Sequence, residues 1–286
     1  MQTTLDCIPC FVRQALDAAR LISDDREEQG RLMRSVMQEL ARLDLSATPP
    51  QIGRDIHRAL RKAAGCDPYV ALKEACNRMA ERAIPEARSI VESADDPFEM
   101  AIRFAMAGNN IDAGVGRALD ESHLHEALFA VADTPIDHAQ VAALRRALDH
   151  AKDILFLGDN CGEIYFDRLL LERMPTERIT YVVRGGPIIN DATLPDAETA
   201  GITELVPVID NGDDTPGTLL SACSEAFLKR WARADLVVAK GQGNYETLSD
   251  CRDQDIFFLL RAKCPVIAAH IGCPQGTFLI LRNRRS

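Results

Sequence analysis

Near Lys152 the pattern of the chain changes, and that change restricts the fold more than any other feature of the sequence. Short, nearly continuous apolar runs begin there: DILFLG, ITYVVRG, ELVPVI, DLVVAKG, CPVIAAHIG and FLILR. Between several of them lie stretches of helical length, such as GEIYFDRLLLERM and GTLLSACSEAFLKRWARA. Strand–helix–strand alternation, with strands apolar on both sides, predicts a doubly wound, mostly parallel α/β sheet covered by helices on both faces. In such sheets ligands collect beyond the carboxyl ends of the strands. The polar residues that follow each run are therefore read together, as one candidate site.

Residues 1–150 follow a different rule. CFVRQALDAARLI, QGRLMRSVMQELARL, IGRDIHRALRKAAG, YVALKEACNRMAERAIPEARSIV and FEMAIRFAMAGN carry apolar residues at three- and four-residue steps, in a background of Ala, Leu, Arg and Glu. Breaks fall at ATPPQ and DDPF. The expected organisation is an all-helical domain over 1–150 that contributes to the cleft, then a Rossmann-like α/β domain over 151–286. A net charge of −10 argues against a nonspecific grip on nucleic acid or anionic lipid. The opening MQTTLDCIPC is not a basic-then-apolar leader, and no apolar stretch approaches the ~20 residues that span a bilayer. Nine cysteines scattered along the chain fit reduced thiols better than a disulfide framework. The expectation is a cytoplasmic protein, and nothing in the pattern sets an oligomeric state.

The strand ends supply the chemistry. FLGDNCGEIYFD gives Asp159, Asn160 and Glu163; VVRGGPIINDAT gives Arg184 and Asp191; VVAKGQGNYETL gives Lys240 and Asn244. Two carboxylates and an amide oxygen are hard ligands suited to Mg²⁺ or Mn²⁺, and Co²⁺ and Ni²⁺ are transition ions that such a set admits. A lysine followed by Gly-Gln-Gly-Asn adds a cation and open backbone N–H groups, as a phosphate needs. Taken singly, each element also has a structural explanation. Asp159 or Asn160 can N-cap the helix starting near Gly162, Asp191 can cap a short helix, and KGQGN can be a bare turn. The combination at one end of a parallel sheet outlines a phosphoryl site.

LGDNCGEIYFD, PIINDAT and KGQGNYETL, with AGNNID upstream and CIPC at the start, resemble the signature segments of the ARMT1-like damage-control phosphatases (the domain-of-unknown-function-89 family). More closely, the sequence resembles the prokaryotic branch with an N-terminal Cys-x-x-Cys, and the likeness extends from Cys7 to about Ala269. The resemblance implies a divalent-metal-dependent phosphatase acting on a small phosphorylated metabolite, such as a sugar phosphate or a phosphopantetheine derivative. It implies metal ligands at Asp159, Asn160 and Asp191, a phosphate-contacting Lys240, and a glycine loop at Gly241 and Gly243. It also implies that Asn109, Asn110 and Asp112 bring the helical domain into the cleft. Cys161 stands where the family often has a small residue, which leaves the ion preference open.

The catalytic set expected from this is Asp159, Glu163 and Lys240, with Arg184, Asn244, the glycines and the Asn109–Asp112 segment on the substrate. Water attack ranks above an aspartyl-phosphate, because Asp159-Asn160-Cys161 lacks the second acid of an Asp-x-Asp motif. A dinucleotide-dependent oxidoreductase fits less well: the turn reads Gly158-x-x-x-Gly162 rather than GxGxxG, and Asp159 would repel a pyrophosphate. A non-catalytic binder of metal or phosphometabolite is the other alternative. Cys7 and Cys10 are half of a zinc site at most, either packed thiols or a two-thiolate site completed by a distant Cys or His. The six histidines form no ligand spacing, and His270 alone is expected to end a strand.

Overall fold

The structure is a computed structural model, and it describes residues 1–108, 126 and 128–284. Helices Ile8–Ile22, Arg26–Leu40 and Pro49–Ala64 open the chain. Their boundaries follow local chemistry. Asp25 accepts the Glu27 and Glu28 N–H groups, Thr48 accepts Gln51 N–H, and Gly65 closes the third helix in the left-handed region at φ 75°. These helices bury Phe11, Ala15, Ala18, Leu32, Val36, Ile52, Ile56 and Leu60 against one another and Tyr69. Helices Val70–Ser93, Pro97–Ala107 and His138–His150 follow.

The sheet begins at Ile154. Its strands are β1 (Ile154–Leu157), β2 (Ile179–Val183), β3 (Val208–Asp210), β4 (Leu236–Lys240), β5 (Ile256–Arg261) and β6 (Phe278–Asn283), in the order β3-β2-β1-β4-β5-β6. All neighbours are parallel except β5 and β6. Successive residues of β1 point to opposite faces, and both faces are buried. Ile154 and Phe156 join a core with helices Val70–Ser93, Pro97–Ala107, His138–His150 and Glu163–Leu171. Leu155 and Leu157 join a second core with Phe227, Trp231, Leu248 and Ile267. The α/β expectation is thus realised as a doubly wound, mostly parallel sheet, and the second half of the helical region shares a core with one of its faces. Among the described residues no helix is long and apolar enough to cross a membrane.

Two elements differ from the sequence reading. CPVIAAHIG is not a strand but the helix Pro265–Ile271: proline occupies its first turn, Cys264 Sγ accepts Ile267 N–H, and Gly272 closes it at φ 82°. The strand is the adjacent IFFLLR, Ile256–Arg261, buried almost throughout. His270 therefore ends no strand; it is exposed in the last turn of that helix, its ring edge-on to Tyr245. In GTLLSACSEAFLKRWARA only Glu225–Arg233 is helical, because Ser224 caps it by accepting Phe227 N–H. The order of the strands reverses between β1 and β4, the place where a doubly wound sheet characteristically binds its ligand beyond the strand carboxyl ends.

Candidate active site at the switch point of the sheet

β1 ends at Gly158-Asp159-Asn160 and β4 at Lys240-Gly241, one on each side of the reversal. The Asp191 segment is fastened to the first of these by backbone. Asn160 and Asp191 form an isolated antiparallel bridge, Cys161 N–H donates to Asn190 O (2.8 Å), and Ala192 N–H donates to Asp159 O (2.8 Å). Just before it, Ile189 has φ 44°, the one positive φ at a non-glycine residue among those described. A β-branched residue held there stores strain of about 1–3 kcal/mol, of the kind that gathers at functional sites.

The side chains form a connected, buried network. Arg184 Nε donates to Asp191 Oδ2 at 2.7 Å, Nη2 to Asp159 Oδ1 at 3.4 Å, and Nη1 to Asn244 Oδ1 at 3.4 Å. Asn160 Nδ2 donates to Asp159 Oδ2 (2.8 Å) and Glu163 Oε2 (3.0 Å). Asn244 Nδ2 joins the two strand ends, donating to Lys240 O (2.7 Å) and Gly158 O (3.2 Å), while its Oδ1 also accepts from Thr218 Oγ (2.8 Å). Its amide is thereby engaged on both sides. Burial raises the Asp159 carboxyl well above the usual carboxylate range, and the nearby charges of Glu163 and Asp191 add to it, against Arg184.

Lys240 is fully buried. Its Nζ donates to Ala105 O (2.7 Å), to Glu163 Oε1 (2.8 Å) and to Asp167 Oδ1. Burial alone would lower its pKa, but the charges of Asp167 and Glu163 outweigh burial and hold it above the ordinary lysine value. Asp167, whose carboxyl burial pushes up to about 6 against the pull of Lys240, also accepts from Tyr181 Oη at 2.7 Å. Asp167 and Tyr181 were missed in the sequence; for Asp167 the signal was its i+4 spacing from Glu163 on one helix. Gly241 and Gly243 are required by close approach: a Cβ on Gly241 would stand 1.8 Å from Asp159 Oδ2, and one on Gly243 2.1 Å from Pro216 O.

The helix start near Gly162 is capped by neither of its two candidates, the Asp159 and Asn160 side chains. Gly162 N–H donates instead to Asn77 Oδ1 at 2.8 Å. Cys161 is buried, and burial pushes its thiol far up, so it packs here as a protonated, nearly apolar group. Asn109, Asn110 and Asp112 lie outside the described residues. The chain leading to them does reach the site: a Cβ on Gly108 would lie 3.1 Å from Glu163 Cα. Cys7 is buried and Cys10 exposed, both as free thiols.

The donor chemistry fits a hard divalent cation. Four buried carboxyl groups (Asp159, Glu163, Asp167 and Asp191) gather around Arg184 and Lys240, and in such a cluster a carboxyl is stabilised either by holding a proton, as burial favours for Asp159 and Asp167, or by cationic charge. Among the described residues no three His, Cys, Asp or Glu side chains converge as a ligand group on their own. A set built from Asp159 and Asp191 therefore depends on the amide of Asn160 as its third member.

A doubly wound α/β sheet with an acidic, oxygen-donor cluster at its switch point defines the class. The damage-control phosphatase ARMT1-like domain matches residues 3–279, and the chain belongs to that family. It is 39% identical to the uncharacterized protein MJ0202 of Methanocaldococcus jannaschii over 97% of this chain and 94% of that one. It is 32% identical to damage-control phosphatase PH1575 of Pyrococcus horikoshii over 99% of both chains, and 34% identical to a damage-control phosphatase of Archaeoglobus fulgidus over 94% and 95%. The crystal structure of PH1575, described as a DUF89 family protein, superimposes with a TM-score of 0.87 at 33% identity over 99% of each chain.

Proposed function

We propose that this protein is a metal-dependent phosphatase that hydrolyses small phosphomonoesters, sugar phosphates or phosphopantetheine-like metabolites, in metabolite damage control. The observation that carries this reading is the cluster of buried oxygen donors, Asp159, Asn160 and Asp191, at the β1–β4 switch point, in a chain whose named relatives are damage-control phosphatases. Asp159, Asn160 and Asp191 would hold the divalent ion, Mg²⁺, Mn²⁺, Co²⁺ or Ni²⁺. Bound there, such an ion supplies Lewis-acid charge to the phosphoryl oxygens and to an attacking water.

The chain's own residues do the rest. Arg184 holds the Asp159 and Asp191 carboxylates in register and offers its positive charge to the phosphate side of the cleft. Backbone N–H groups at Gly241 and Gly243 open the helix Gly241–Leu248 and orient phosphate oxygens. Glu163, linked to Asn160 and Lys240, is placed to hold or pass a proton at its Oε atoms. Lys240 fixes Glu163 and, through Ala105 O, the end of the helix that leads to Asn109, Asn110 and Asp112. Those three residues and the rest of the 1–150 region would form the substrate wall opposite the 151–286 region.

The test is phosphate release from a panel of phosphomonoesters with each of the four ions and with chelator, beside Asp159→Ala. Release that needs metal and vanishes in the variant supports the proposal. Metal raising the melting temperature with no release from any compound would leave a binding protein instead.

A further inference from the structure

We infer that Asn77, far from the signature segments in sequence, is a positioning residue that locks the two acidic segments of the site together from behind. Gly162 begins the helix Glu163–Leu171 in an unusual backbone conformation, φ 76° and ψ −49°, with no side-chain cap from its own segment. A helix start leaves N–H groups that need acceptors. Here the acceptor is Asn77 Oδ1, 2.8 Å from Gly162 N, from the middle of the helix Val70–Ser93.

The other end of the same amide reaches the second acidic segment. Asn77 Nδ2 donates to Asp196 Oδ1 at 3.2 Å. Asp196 Oδ2 accepts from Thr193 N–H (2.9 Å) and Thr193 Oγ (2.7 Å) and pairs with Lys73 Nζ at 3.0 Å. Asp196 follows Asp191 by five residues and Gly162 follows Asn160 by two. One side chain thus ties the stretch after each carboxylate-bearing turn to the helical half. The backbone bonds that flank the Asn160–Asp191 bridge, Cys161 N–H to Asn190 O and Ala192 N–H to Asp159 O, close the front of the same ring, and Asn77 closes the back. Behind the clamp lies a cavity of about 440 Å³ whose lining includes Lys73, Asn77, Tyr165 and Asp196.

Asn77 Oδ1 lies 2.8 Å from the backbone amide of Gly162, two residues beyond Asn160. It acts by setting where those segments sit. Supports of this kind, one bond removed from a ligand, typically change metal affinity or activity by roughly 10–100-fold when removed. The inference rests on the proposed role of the acidic rim in holding a divalent ion, and its test separates the two.

Asn77→Leu removes both bonds at similar volume. The exchange Asn77→Asp with Asp196→Asn keeps an acceptor for Gly162 N–H, a donor–acceptor pair between the two positions, and one carboxylate near Lys73. For each, metal-free melting temperature, Mn²⁺ affinity by calorimetry, kcat and KM on the best phosphomonoester, and hydrogen exchange at the Gly162 amide are measured. Asn77→Leu is expected to weaken Mn²⁺ binding roughly 10–100-fold, to lower kcat with little change in KM, and to speed Gly162 exchange, with the exchange variant restoring all three. Wild-type Mn²⁺ affinity and Gly162 protection in Asn77→Leu would overturn the inference, and so would losses that a folded exchange variant does not restore. Should the wild-type protein itself bind no Mn²⁺ and release no phosphate, the proposed function fails. Gly162 exchange then decides alone: faster in Asn77→Leu upholds the positioning role, unchanged refutes it.

Discussion

The α-carbon of Gly241 lies against the carboxylate of Asp159, so closely that a β-carbon would stand 1.8 Å from Oδ2. Gly241 also has φ 77°. Gly241→Ala therefore adds a left-handed backbone penalty of about 1 kcal/mol and displaces Asp159. Gly272, at φ 82° with nothing near its Cβ position, provides the control. Gly272→Ala should lower the melting temperature alone, whereas Gly241→Ala should also abolish any metal-induced rise. Thermal melts with and without Mn²⁺ read both.

Arg184 is the cation shared by Asp159 and Asp191. Arg184→Met leaves two buried carboxylates without it, a loss on the order of 3–5 kcal/mol. A divalent ion compensates the same charges, so the variant should gain more stability from Mn²⁺ than the wild type does. Equal metal-induced shifts in both proteins would contradict this.

Tyr181→Phe should keep the ring stacked on Phe156 (5.2 Å between centroids) and remove one donor to buried Asp167. An unsatisfied carboxylate oxygen costs about 1–3 kcal/mol. Asp167 holds a proton more readily than an ordinary aspartate, up to about pH 6. The loss should therefore be larger at pH 8, where the group is charged, than at pH 5. Chemical denaturation at the two pH values measures it.

Two groups outside the site bend stability with pH in opposite directions. Burial lifts Glu246 from 4.5 to about 7, against the hydrogen bond from Gln242. Between those values the unfolded chain gives up its proton while the folded one keeps it, so this contribution falls as pH rises from 4.5 towards 7. Burial lowers His57 from 6.5 to about 4, with Arg61 adding to the effect, and neither ring nitrogen has a hydrogen-bond partner among the described residues. There the unfolded chain takes the proton first, so stability falls as pH drops from 6.5 towards 4. Glu246→Gln should raise the melting temperature at pH 8 and leave it nearly unchanged at pH 4.5. His57→Leu should flatten the acid side.

Much of this was legible in the sequence because it rests on short-range rules. The strands β1, β2 and β4 are nearly continuous apolar runs with a glycine one or two residues beyond, and their ends carry the acids, the arginine and the lysine that the structure gathers. CPVIAAHIG misled because apolarity alone does not distinguish a buried strand from a short helix. Pro265 and Gly272 were the distinguishing signals, and IFFLLR lay hidden beside it. Asn77 was not legible at all. Its role depends on where a helix of the first half meets Gly162, and no local pattern encodes a contact between positions 85 residues apart.

Lys240 holds the helical half by a main-chain oxygen, that of Ala105. A carbonyl belongs to every residue type, so position 105 can drift among small side chains while the bond persists. Pairs of positions that change together over evolution betray contacts between side chains, and this one would leave no such trace. The tie between the two halves could thus be old and strictly kept, and still be silent in any comparison of related sequences.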